Sequence, residues 1–258
     1  MTRDRQAGAR PPDASDDEGN VADCRTSARK TNSTGRGDED AFTLIELLVV
    51  LALIAGLTAF LAGGLRDHPA AALHSAQATL ANLLTAARTR ALASGCRVRV
   101  LVQADAADAG RFRRTLVLQQ ESGYLSGDWF ATTGVLSLPA GVIVLPYEAR
   151  APEGLYENPG EWTKPSGGRL HSSSLSGAPV TATVPGAAGE TWDVIQFTPA
   201  GTLSTGVGDL VLATVRIRAP GSFAADESPV RAGPPDRVRG VVLSTYGVPA
   251  LIAGRGGF

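Results

Sequence analysis

The sequence predicts an α+β protein in which a long N-terminal helix packs on an antiparallel β-sheet domain. An unbroken apolar run over 42–65, a helical spacing of apolar residues over 73–91 and a change to two-residue alternation after Gly95 carry that expectation. The chain has 258 residues with 24 basic and 25 acidic side chains, so no basic excess points to nucleic acid. An apolar content of 43% excludes a chain disordered throughout. The apolar residues are unevenly spread, and that unevenness sets the boundaries.

Residues 1–41 form a polar head, rich in Asp, Gly, Ser, Thr and Arg, with no aromatic residue and little aliphatic surface beyond Val21. Such a segment buries too little to offset its ordering entropy. Its Arg36-Gly37-Asp38 and Asn32-Ser33-Thr34 triplets are short enough to arise by chance. Over 42–65 the one formally charged residue is Glu46. A helix of that length spans roughly 36 Å, against about 30 Å for a hydrocarbon core, so a transmembrane helix is expected. Arg66-Asp67-His68-Pro69 closes it, with Pro69 expected to bend the helix. Residues 66–95 read as its amphipathic continuation. Leu73, Ala76, Leu80, Leu83, Leu84, Ala87 and Ala91 share one face, Gln77, Asn82, Arg88 and Arg90 fall on the other, and Ser94-Gly95 supplies the stop.

The domain 96–258 then follows in strand periodicity. Residues 97–102, 114–118, 142–145, 194–197, 210–218, 239–245 and 248–252 read as strands, with a turn at Pro199-Ala200-Gly201. The Gly- and Pro-rich stretch 146–190 reads as a long loop or decorated insertion. Arg97/Arg99 and Arg216/Arg218 alternate with apolar residues, which places them on solvent faces of strands. Trp129, Trp162, Trp192 and Tyr246 read as core or sheet-face residues. Cys24 and Cys96 flank the apolar run and do not make a disulfide framework.

Few residues carry chemistry. His68, His74 and His171 have no metal-ligand spacing, Asp193, Asp209 and Asp226 are scattered, and no nucleophile elbow, phosphate loop or dinucleotide fingerprint occurs. No catalytic residue, metal or cofactor is expected. Glu46 stands out, because a charge at the centre of a membrane helix costs about 2.5–3.5 kcal/mol, and even near an end it calls for a partner. Were the chain cut between Ala41 and Phe42, the new amine would lie four residues from Glu46, on the same face of the first turn. The helix dipole also favours a carboxylate there. A neighbouring subunit's amine could serve instead, strengthened by low dielectric. The plainer alternative is a signal anchor with an acid near its start.

The run Phe42-Thr43-Leu44-Ile45-Glu46-Leu47-Leu48-Val49-Val50 resembles the processing site of type IV prepilins and type II secretion pseudopilins. The resemblance implies a pilin-like fold and cleavage by a membrane-embedded prepilin peptidase between Ala41 and Phe42. It also implies N-methylation of Phe42 and Glu46 as the assembly glutamate. The family usually has glycine before the cut, where this chain has Ala41, and a short basic leader where this chain has 41 residues. Arg25, Arg29, Lys30 and Arg36 precede the span while Arg66 follows it, so the head is expected in the cytoplasm and the C-terminal domain in the periplasm.

More loosely, a helix ending near Gly95, the Arg97–Val100 strand, Ile195-Gln196-Phe197-Thr198-Pro199-Ala200-Gly201-Thr202-Leu203 and Val241–Val248 resemble H-type minor pseudopilins and FimT-like minor pilins. The implied role is a minor pseudopilin of a type II secretion pseudopilus, a substrate of an enzyme and not an enzyme. Its implied partners are prepilin peptidase, other pseudopilins or pilins and, before assembly, inner-membrane lipid, without nucleic acid. A minor pilin of a type IV or DNA-uptake pilus shares every N-terminal feature. An uncleaved signal-anchored envelope protein would keep residues 1–41. A secreted protein cut near Ala70-Ala71-Ala72 would lose the span.

Overall fold

A computed structural model describes residues 43–64, 69–205, 207–224 and 226–258, with the side chains of 59–64 and 187–188 left aside. The leader 1–41, with Ala41 and Cys24 in it, as well as Phe42 and His68, lies outside the described residues. The chain divides into one unit ending at Leu57 and a second from Thr58 to Phe258. Leu, Val, Ile and Ala build helix α1 (Leu44–Gly64), which starts in the first and ends in the second.

The second unit contains α2 (Pro69–Ser94), whose buried residues include all seven apolar positions of the sequence stripe. It stops where expected. Gly95 takes φ +63° and donates its N–H to the Ala91 carbonyl at 3.0 Å, a left-handed cap that only glycine adopts without strain. Eleven strands follow: β1 (Val98–Gln103), β2 (Thr115–Glu121), β3 (Trp129–Ala131), β4 (Leu136–Ser137), β5 (Val142–Val144), β6 (Val180–Val184), β7 (Ala187–Phe197), β8 (Gly208–Ile217), β9 (Val230–Ala232), β10 (Val238–Leu243) and β11 (Pro249–Ala253). They form two sheets, β3-β2-β1-β7-β6 with β4 also on β2, and β11-β10-β8-β5 with β9 also on β8. Every pairing between these strands is antiparallel. The fold is α+β with antiparallel sheets. One expected sheet is in fact two, because the period-2 signal says that a strand alternates and not which strands share a sheet.

The stripe on α2 explains how two sheets hold together. Leu80, Leu84, Ala87 and their neighbours pack with Val98, Val100, Leu116, Ile195 and Phe197 of the first sheet. They pack equally with Val142, Val144, Leu210, Leu212, Val241 and Leu243 of the second. Burying a leucine such as Leu80 or Leu84, both at 0% exposure, is worth about 1.5–3 kcal/mol. The other face of the second sheet is covered by Leu155, Tyr156, Trp162 and Leu170. The stretch 146–190 is therefore no mere loop. It carries three short 3-10 turns, strand β6 and the start of β7, and it closes a core of its own.

Gln77 corrects the helical-face assignment. It sits within the buried stripe at 3% exposure, where its amide donates to the carbonyls of Gly240 (2.7 Å) and Ile252 (2.8 Å) and its oxygen accepts from Arg239 (3.2 Å). Position 240 has to be glycine at this approach: an added Cβ would lie 2.2 Å from the Leu210 carbonyl oxygen and 2.5 Å from the Phe258 ring.

Buried charge is paired. Asp193 of β7, at 0% exposure, accepts a hydrogen bond from the buried Arg113. Arg150 Nη2 lies 3.0 Å from its other oxygen, close enough for an ion pair although the angle is not that of a hydrogen bond. Burial pushes the Arg113 pKa down while Asp193 opposes that shift. The Arg113 N–H also donates to the Gln103 carbonyl (3.0 Å) and its carbonyl accepts from the Val144 N–H (3.0 Å), one partner in each sheet. Glu121, likewise buried, takes both prongs of the Arg97 guanidinium and the Gly127 N–H at 2.7 Å. The Arg97 hydrogen bond holds the Glu121 carboxyl down to about 2, from an ordinary 4.5, against the opposing effect of burial.

Gln77→Leu leaves two buried carbonyls without their amide donor and should lower unfolding free energy by about 2 kcal/mol, read by urea denaturation. Glu121 binds its proton more weakly in the folded state than unfolded. Its stabilisation is complete above about pH 4.5 and drains away as pH falls toward about 2. The stability gap between wild type and Glu121→Gln should therefore shrink across that window in pH-resolved denaturation.

Candidate functional site

Polar pairs inside the β domain explain stability, so the candidate site is the first turn of α1. Thr43 precedes the helix and acts as its cap. The Glu46 N–H donates to Thr43 Oγ1 at 3.3 Å, while Glu46 Oε2 accepts from both the Thr43 N–H and the Thr43 hydroxyl at 3.1 Å. Leu47 N–H then closes the first turn on the Thr43 carbonyl at 3.2 Å. Thr-x-x-Glu with reciprocal bonds is a capping box, satisfying donors that a helix start leaves open. The sequence reading missed it by looking for an amine as the partner of Glu46, although Thr43 three residues before a glutamate is a legible signal. Ala41 and Phe42, the expected scissile pair, lie outside the described residues, so among the described residues Glu46 is partnered by Thr43 alone.

Beyond the cap α1 has no polar face. Leu44 is 78% exposed, Ile45 70% and Leu53 68%, and Leu47, Leu48, Val49, Val50 and Leu51 are exposed with them. A helix apolar on every side is stable in an apolar surrounding and not in water. The described side chains of α1 end at Thr58, and among the described residues no helix is long and apolar enough to cross a membrane.

The remaining sequence candidates go elsewhere. His74 is exposed on α2, and His171 Nδ1 lies 2.8 Å from the Arg169 carbonyl and 3.8 Å from Glu148. Among the described residues no group of three or more His, Cys, Asp or Glu side chains is placed to hold a metal. Asp209 pairs with Lys164 at 2.6 Å. Trp162 and Trp192 are core residues as expected, but Tyr246 is 71% exposed and offers only its carbonyl, to Arg88 at 2.9 Å. Trp129 is half-buried beneath Arg99, whose guanidinium carbon lies 4.1 Å from the ring centroid.

Arg97 and Arg99 are thus not a free solvent face, since the β2–β3 connection folds over them. Arg99 donates twice to Gln119 Oε1, at 2.9 and 2.8 Å. Burial, followed by the nearby Arg97 charge, pushes its pKa down to about 10. Arg218 is half-buried against Glu227 at 2.8 Å, whereas Arg216 is exposed as expected.

No family model and no curated protein matches the chain. Among solved structures, one of the minor pseudopilin EpsH from the type 2 secretion system of Vibrio cholerae matches at 17% identity. It covers 71% of this chain and 96% of that one, with a TM-score of 0.34. A crystal structure of the same pseudopilin matches at 15% identity, covering 71% and 94%, with a TM-score of 0.33. Similarity at those scores carries no argument about function.

Proposed function

We propose that this chain is a minor pseudopilin of a type II secretion pseudopilus, a filament subunit and not an enzyme. One observation carries the reading: the described apolar side chains of α1, from Leu44 to Leu57, are exposed, and its single acid lies in a capped first turn. Such a helix needs lipid or other apolar helices around it, and the proposal gives it both in succession. It rests in the inner membrane with the leader in the cytoplasm and the β domain in the periplasm, then joins a bundle of like helices in the filament. The motif Phe42–Val50 supports cleavage by prepilin peptidase between Ala41 and Phe42, with methylation of the new amine.

The capping box adds a physical role for Thr43. A glutamate held by the Thr43 hydroxyl and N–H keeps its carboxylate at the helix start, where the dipole favours it. A freed Phe42 amine, its own or a neighbour's, would find an oriented acceptor there. In a low-dielectric bundle that attraction is much stronger than in water.

Protein recovered from membranes should begin at N-methylated Phe42 by N-terminal sequencing and intact mass. A start at Met1 would identify an uncleaved anchor and one near Leu73 ordinary secretion, and either would overturn the reading. Glu46→Ala should be cleaved normally yet enter filaments poorly, scored by subunit content of sheared filaments. Normal incorporation would sink the charge-pairing role.

A further inference from the structure

The middle of the β8–β9 pairing holds an arrangement that folding alone does not favour. Arg216 and Arg231 are directly opposite each other in the antiparallel register. Residues so placed share a face with Cβ atoms about 5 Å apart, and like charges there destabilise the pair. Arg218, two residues along on the same face, is neutralised by Glu227 at 2.8 Å and further held by the Ser222 carbonyl at 2.7 Å. The other two are not. Among the described residues Arg216 has no hydrogen-bond or ion-pair partner, and Arg231 has Glu157 at 3.9 Å, with 47% of the Arg231 side chain and 71% of the Glu157 side chain exposed.

Both arginines line a cavity of about 680 Å³, walled in part by Trp162, Pro234 and Pro235. The volume is that of a small-ligand or side-chain pocket. Two guanidinium forks on one rigid strand pair, neither hydrogen-bonded to a carboxylate among the described residues, match a planar carboxylate, which accepts two parallel N–H bonds from each fork it meets. Glu157 and Glu161 line the same cavity. Their charge disfavours a doubly charged phosphate more than a singly charged carboxylate, so it narrows the class of anion.

We infer that the Arg216–Arg231 pair is a carboxylate-binding site, filled by a free organic acid or by an acidic side chain of a protein segment. The inference is independent of the filament reading, since every residue it uses belongs to the β domain.

The test uses the full chain in neutral detergent micelles at constant ionic strength. Propionate and a capped Gly-Asp-Gly peptide are titrated separately against the arginine Nε–H resonances of wild type, Arg216→Gln and Arg231→Gln. Saturable shifts at Arg216 and Arg231, weakened about tenfold or more in each variant, are expected. Tighter binding of the peptide would assign a protein segment, and tighter binding of propionate a free acid. A second readout guards against a folding artefact: without ligand, Arg216→Gln should melt no lower than wild type, because it relieves a repulsion. Absence of saturable binding by both probes, binding unchanged in the variants, or a lower melting point for Arg216→Gln would overturn the site.

Discussion

A single apolar stripe on α2 is the constraint on which the β domain depends. Neither sheet can hide its inner face by itself, and the same seven helix positions complete the core of both. Close packing makes such an arrangement mutually exclusive with small adjustments, since moving the helix toward one sheet opens a void against the other. Gln77 sets where the helix sits along the second sheet, because its amide reaches the carbonyls of both β10 and β11. The glycine at 240 has its own constraint, since a side chain there would collide with Leu210 and Phe258.

The charged pairs refine what the apolar core permits. A buried ion pair repays its desolvation only when well bonded, and breaking one by removing a partner is far costlier than never having it. Arg113 and Asp193 belong to that class: both are buried, and the backbone of Arg113 also touches each sheet. Arg97 and Glu121 do a more local job. Their fork anchors the β2–β3 connection through Gly127, and Trp129 is laid beneath the guanidiniums of Arg97 and Arg99.

The N-terminal unit follows a different logic. Its helix is capped by Thr43 and Glu46 and is otherwise apolar without relief. A proposal that supplies lipid first and sister helices later accounts for both the exposure and the placement of the acid.

Periodicity by itself determined the helix over 73–91, its stop at Gly95 and the strands β1, β2, β5, β7, β8, β10 and β11, because those features are set by neighbours a few residues away. The run Phe42–Val50 made the first helix and its unusual acid legible on the same local grounds. Only the tertiary structure decided that the strands divide into two sheets and that the stretch 146–190 closes a core with Tyr156, Trp162 and Leu170. It also turned Gln77 inward and placed Arg216 opposite Arg231. These outcomes depend on partners far along the chain, such as Gln77 with Gly240 and Arg113 with Asp193, and no window of local sequence contains both members of such a pair.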